Sequence, residues 1–281
     1  MHRIGIMQGR LSPARGGAIQ SFPTGTWKEE FPRARQAGLC CIEWIYEQGT
    51  ETENPISTED GIVETRRLAR AWDIAVDSVC ADYFMAHRLV SPSGSADRNA
   101  VSRLEWLIAQ AAGLGACSIV LPFVDESSLV SPQQVAGLQR ILQNIVPIAE
   151  DYRIELHLET DLPPRDLLSL LSTLDHPFLR ANYDIGNSAS LGRDPAFEFL
   201  CIGRYLGSVH VKDRSRGGGS VPLGTGAADF PLYFRLIRGT GFKGPYILQT
   251  ARDTSVSEVE LAQRNRQFVE HHLQRAIQES T

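Results

Sequence analysis

Four segments of the chain end in polar residues of the kinds that hold a metal ion or move a proton. In RIELHLET, residues 153–160, strict alternation puts His157 and Glu159 on one face, opposite Leu156 and Leu158. ANYDIGN, residues 181–187, places Asn182 and Asp184 on a common face, and SVHVKD, residues 208–213, does the same for His210 and Lys212. In PYILQTARD, residues 245–253, Gln249 reaches the matching end, with Ile247 lower on the same face. Two carboxylates, an imidazole and an amide oxygen form a donor set for one divalent ion, Mn²⁺, Mg²⁺, Co²⁺ or Zn²⁺, with positions left for water or a substrate. Any one of these residues alone reads equally well as a solvated strand end or a helix cap, since strand-end Asp and Glu often cap. Four in the same register favour a site, because ionisable groups gathered in one cleft are its usual sign. His157, two residues below Glu159, reads as a hydrogen-bonded core histidine.

Such residues need a frame that carries strand ends to one place. Short apolar runs alternate with longer amphipathic stretches from end to end, the pattern of repeated βα units and a parallel sheet. Eight strand-like runs fall near residues 3–8, 40–45, 74–80, 117–122, 153–159, 179–184, 206–211 and 245–249. Helices are expected over residues 29–37, 59–71, 96–112, 132–151 and 257–278, often with Ser, Thr or Asp just ahead as caps. No Pro/Gly/Ser-rich linker divides the chain, so the expectation is an α/β fold with one (β/α)8 TIM barrel domain over residues 1–281. A doubly wound open sheet would usually show a glycine-rich phosphate turn after its first strand, and IGIMQGRLSP has none. In a barrel, reactive groups sit at the C-terminal strand ends and in the loops that follow.

Composition removes several classes of function. The net charge is −5 and the 28 Lys and Arg are scattered, which leaves no basic footprint for nucleic acid. No apolar run approaches a membrane span, and MHRIGIMQGR lacks the apolar stretch of a signal peptide, so a cytoplasmic protein with no membrane partner is expected. Five cysteines without CxxC spacing suggest neither a disulfide framework nor a cysteine zinc site.

The chain from the third strand onward resembles the xylose isomerase-like TIM barrel superfamily of sugar isomerases and epimerases. Within it, the similarity is greatest to the L-ribulose-5-phosphate 3-epimerase and hexulose-6-phosphate isomerase-type branch. The residues that carry the resemblance are AHRLVSPSGSAD at 86–97, DIGNSASLG at 184–192, VHVKD at 209–213, VPLGTGAADF at 221–230 and GFKGPYILQ at 241–249. The resemblance implies one divalent metal ion held by Glu159, Asp184, His210 and the residue at 249. It also implies a small sugar or sugar phosphate as substrate, proton transfer beside a ketose carbonyl with Glu159 as catalytic base, and a homodimer of the kind such barrels often form. Both the first and last ligands in that pattern are glutamates that serve opposite faces of the sugar. This chain departs from it at Gln249, whose amide offers an oxygen to a metal but takes up no proton near neutral pH.

Candidate substrate-binding residues are Glu43 at the end of the second run, His87 and Arg88 after the third, Asn187, Lys212 and Arg216. Glu43 reads equally as a sugar contact, a second acid or a structural carboxylate, and Asp253 is another candidate acid. Lys212 and Asp213 form a candidate charge pair to orient His210. An anion subsite would draw on His87, Arg88, Gly94 and Ser95, or on Arg214, Arg216 and residues 217–220. Gln8, Arg10 and Trp44 are further candidates to face the sugar, with packing an equal reading for the indole. The expected function is a metal-dependent sugar or sugar-phosphate isomerase or epimerase. A dehydratase-type lyase on the same scaffold, or a non-catalytic sugar- or metal-binding homologue, stays open because of Gln249.

Overall fold

The structure is a computed structural model that describes residues 3–278, so the two ends of the expected 1–281 domain lie outside the described residues. Eight parallel strands form the barrel: β1 (Ile4–Met7), β2 (Cys41–Ile45), β3 (Ala75–Cys80), β4 (Ser118–Phe123), β5 (Glu155–Thr160), β6 (Leu179–Asp184), β7 (Leu206–Val211) and β8 (Tyr246–Leu248). Their order around the barrel is β1-β8-β7-β6-β5-β4-β3-β2, closed by the pairing of β1 with β2. This is the expected (β/α)8 architecture. All eight expected strands are present, because each is a short apolar run that is buried on both faces, as a parallel sheet requires.

The long helices lie outside and also match expectation, among them Glu59–Trp72, Arg98–Leu114, Pro132–Asp151 and Glu258–Gln278. Thr58, Asp97 and Ser131 cap the first three by accepting backbone N–H bonds. Periodicity did not mark the four-residue helix Tyr83–Ala86 or the two-stranded ribbon of Asp213–Arg214 and Ser220–Val221. Both lie after barrel strands and shape the rim of the mouth. Among the described residues no helix is long and apolar enough to cross a membrane.

Two local features set the register at the mouth. Between β6 and β7, Ala181 pairs with Leu206 and Asn182 with Ser208, so Gly207 is the extra residue of a bulge. From there upward Asp184 lies beside His210. A Cβ on Gly207 would stand 2.5 Å from His157 Nε2, because that ring fills the space inside the bulge. His157 is held there by Ser208 Oγ at 2.9 Å and Glu155 Oε2 at 2.9 Å, the core role that its place below Glu159 implied. The long segment between β1 and the helix Glu30–Ala37 is pinned by buried Glu30 and half-buried Arg252. Glu30 accepts N–H bonds from Gly9 and Leu11, and Arg252 donates to the carbonyls of Gly9, Ser12 and Ile19. Gly9, at φ 83°, makes the turn that carries Arg10 and Gln20 over the mouth.

Gly207→Ala is expected to destabilise the chain by about 1–3 kcal/mol through overpacking against His157, read by thermal or denaturant unfolding. Unchanged stability would show that the ring moves aside freely.

Candidate metal and proton-transfer site

The site is built from the ends of three adjacent strands. Glu159 on β5, Asp184 on β6 and His210 on β7 are all buried, and each offers a ligand atom within 4.8 Å of the others. Asp184 does two things at once, because the helix Ile185–Leu191 begins where its strand ends. Its Oδ1 caps that helix by accepting from Asn187 N at 2.8 Å, while its Oδ2 meets Lys212 Nζ at 2.8 Å. Capping fixes the carboxylate, and the lysine supplies the positive charge that two neighbouring carboxylates demand.

His210 is the centre of the arrangement and has no exposed surface. Its Nε2 lies 2.7 Å from Glu43 Oε1 and its Nδ1 lies 3.4 Å from Glu159 Oε2. Asn182 Nδ2 stands 3.0 Å from Nε2 and 3.2 Å from Nδ1. Glu43, itself fully buried, takes a second hydrogen bond at 2.6 Å from Ser78 Oγ. Burial opposes charge on the imidazole, but the carboxylates of Glu43 and Glu159 outweigh it and raise the His210 pKa to about 10. The same pairing lowers that of Glu43 against the opposing effect of its burial. The orienting partner of His210 is therefore Glu43, reaching across the barrel from β2. Lys212 and Asp213, the pair suggested by sequence, do otherwise: Lys212 faces Asp184, and buried Asp213 accepts from the backbone of Gly224, Gly226 and Ala228.

Gln249 stands one layer above, since its strand pairs Ile247 with His210. Its Nε2 donates to Gln20 Oε1 at 2.9 Å, while its buried Oε1 has no hydrogen-bond partner among the described residues. Asn182 Oδ1 is likewise buried and unpartnered. Glu159, Gln249, Asn187, Lys212, Arg10, Arg214, Gln20 and Asp82 all line one cleft of about 410 Å³, wide enough for a monosaccharide-sized ligand. Asn187 links two of its walls, donating to Glu159 Oε1 at 2.9 Å and accepting from Arg214 Nη1 at 2.9 Å.

The other sequence candidates sit elsewhere. His87 is exposed and stacks on Tyr83 at 4.3 Å, and the guanidinium of Arg88 is turned to the Glu126 carbonyl. The helix Tyr83–Ala86 carries both off the cleft lining, which takes Met85 instead. Arg216 is exposed and folds against Gly192, leaving Arg214 as the arginine of that loop on the cleft. Trp44 is buried against Phe22 and Trp27 and donates to Asn54, so it packs rather than lines the mouth. Asp253 is bound to Ser255 and lies on a separate cleft. Sequence reading passed over Gln20 and Asp82. Asp82 follows β3 by two residues, and the rule that reactive groups cluster just beyond strand ends was signal enough to find it.

The donor set suits a divalent ion: hard oxygen ligands and an imidazole, two carboxylates to offset the charge, and a free amide oxygen. The carboxylate on the far side of the imidazole is the partner that metal-bound histidines usually have.

The family model for the xylose isomerase-like TIM barrel matches residues 31–272, and the chain belongs to that family. It is 23% identical over 273 residues to a putative L-ribulose-5-phosphate 3-epimerase UlaE of Shigella dysenteriae, covering 92% of this chain and 94% of that one. A 28% identity to L-ribulose-5-phosphate 3-epimerase UlaE of Salmonella paratyphi A runs over 104 residues, only 37% of either protein. Among solved structures, an L-ribulose 3-epimerase superposes with TM-score 0.75 at 17% identity, covering 100% of this chain and 97% of the other. A D-allulose 3-epimerase from Methylomonas sp. gives 0.71 at 18%, covering 96% and 97%. At these identities the likeness shows the shared fold.

The raised His210 pKa sets the pH response of the metal-free chain. A histidine held charged in the folded state stabilises it fully below its unfolded value of 6.5, and this contribution declines as pH rises toward about 10. Thermal unfolding in chelator is expected to fall across that window, and His210→Gln to flatten the fall. A profile that His210→Gln leaves unchanged would show that the Glu43–His210–Glu159 chain is not its source.

Proposed function

We propose that this chain is a divalent-metal-dependent isomerase or epimerase of a ketose or ketose phosphate, in which Glu159 takes the proton from the carbon beside the carbonyl. The observation that carries this reading is the convergence of Glu159, Asp184 and His210 within 4.8 Å of one another, with Glu159 lining a cleft of sugar size. The names of the relatives, sugar 3-epimerases and sugar-phosphate 3-epimerases, support it.

Glu159, Asp184, His210 and the Oε1 of Gln249 would hold one Mn²⁺, Mg²⁺, Co²⁺ or Zn²⁺ ion. When bound, such an ion polarises a carbonyl and makes the neighbouring C–H acidic. The chain's own residues do the rest. Glu43 holds His210 as a ligand in one orientation, so it acts on the imidazole rather than on the sugar. Asn187 fixes one oxygen of Glu159, leaving the other to face ion and substrate. Lys212, Arg10 and Arg214 give the cleft the positive charge that an enediolate or a phosphate ester calls for. His87, Arg88 and Arg216 stand outside this set. A small sugar or sugar phosphate is the partner this cleft fits. Gln249 cannot exchange a proton, which favours chemistry with Glu159 as the sole base of the metal cluster.

The test is proton NMR in D₂O with Mg²⁺ and L-ribulose 5-phosphate, L-ribulose or D-allulose, following loss of the proton next to the carbonyl. Glu159→Gln is expected to remove that exchange by about 10²–10⁴-fold in a folded protein. Full activity would end the assignment. Gln249→Glu adds an anionic ligand and is expected to tighten Mn²⁺ binding by roughly tenfold or more through the added charge. Calorimetry showing no gain would place Gln249 outside the ligand set.

A further inference from the structure

Inversion at a carbon needs a proton delivered from the face opposite the one it left, and Gln249 has none to deliver. The cleft holds few other groups able to do so. Arg10 and Arg214 do not give up protons near neutral pH, Lys212 is paired with Asp184, and Asp125 is exposed on the rim. Asp82 remains.

Its position fits the need. Gln249 Nε2 donates to Gln20 Oε1 at 2.9 Å, and Gln20 Nε2 donates to Asp82 Oδ2 at 2.7 Å. This string runs from the end of β8 through the segment after β1 to the residue just beyond β3. In the closed order β3 lies two strands from β5 and β8 three strands from it on the other side, so the string spans the rim between the strands that flank β1 and β2. Cys80 Sγ approaches the other oxygen of Asp82 at 3.2 Å. Asp82 and Glu159 both line the cleft between them.

Resting on the proton-transfer reading above, we infer that Asp82, held by Gln20 on the cleft that Glu159 also lines, is the second acid–base group of the site and serves the face of the sugar that Glu159 does not, and that the reaction is therefore a two-face epimerisation. In one direction the Glu159 carboxylate removes the proton from the carbon next to the carbonyl, and the C–H electron pair moves into the enediolate. The Asp82 carboxylic acid then gives its proton to the same carbon from the other side. The sugar leaves as its epimer, with Glu159 protonated and Asp82 ionised, and the reverse reaction or exchange with water restores both. No oxidant or co-reactant is required. Burial pushes the Asp82 carboxyl up despite the hydrogen bonds from Gln20 and Cys80. Gln20 and Gln249 thus form a positioning pair, and the carboxylate missing at 249 stands at the far end of their string.

The experiment separates the two half-reactions in D₂O with Mg²⁺ and the same three ketoses, checking every variant for folding by circular dichroism. In Asp82→Asn, epimer formation is expected to fall by about 100-fold or more, while exchange of the substrate proton, which needs Glu159, falls by less than about tenfold. Glu159→Gln loses both. Gln20→Leu, which leaves Asp82 in place but unheld, is expected to lower kcat for epimer formation with little change in KM, and Gln20→Glu not to restore it. Epimer formation by Asp82→Asn at the wild-type rate would overturn the assignment. So would an aldose as the product of the unaltered protein, which would leave the proton-transfer reading intact. Absence of exchange by the unaltered protein with all three ketoses would remove that reading and Asp82's role with it.

Discussion

The structure depends on an imidazole that no solvent reaches, held between two carboxylates. His210 must be charged or metal-bound to be stable where it is, because both Glu43 and Glu159 face it and Glu43 has no exposed surface to share its charge with water. Glu43 is 167 residues away along the chain and arrives from β2, so this contact closes only when the barrel closes. Ser78 on the neighbouring strand and Asn182 on β6 complete the hydrogen bonds around it. A barrel interior is otherwise filled by apolar layers, and here the top layer is given to a connected set of polar groups.

That set is short of one negative charge relative to the glutamate-ended pattern the chain resembles. With glutamine at 249, the cluster brings two carboxylates, and the buried amide oxygen above it would add a donor without adding charge. Fewer negative charges around a bound ion and one proton carrier fewer would follow together from this one residue. The hydrogen bonds of Gln249 then matter as much as its oxygen, since they tie β8 to the segment after β1 and, through Gln20, to Asp82. The carboxyl that the pattern has at 249 is thus absent from the ligand ring, while Asp82 brings one to the rim of the cleft.

Loops divide differently from strands in how well they can be read. AHRLVSPSGSAD promised a basic, glycine-containing contact to the substrate, yet the short helix Tyr83–Ala86 turns His87 and Arg88 away and presents Met85 and Asp82. In the seventh loop, RSRGGGS offered two arginines with nothing in their spacing to choose between them. The ribbon that pairs Asp213 with Val221 and Arg214 with Ser220 sends Arg214 over the mouth and Arg216 outward. Side chains in such segments point where backbone turns send them, and turns this irregular have no period to follow.

The sequence by itself determined the eight strands, the long helices and the polar strand ends of Glu159, Asp184 and His210. Each of these rests on local alternation, and a strand buried on both faces leaves its polar residues only one place to go, the end. Tertiary structure alone decided that Glu43 serves His210, that Gln249 sits a layer above the cluster, and that Asp82 and Gln20 share the cleft. Those relations come from barrel closure, from the extra residue at Gly207 in β7, and from a long segment pinned over the mouth by Glu30 and Arg252. They join residues far apart in the chain, and no periodicity records which distant residues a closed barrel will bring face to face.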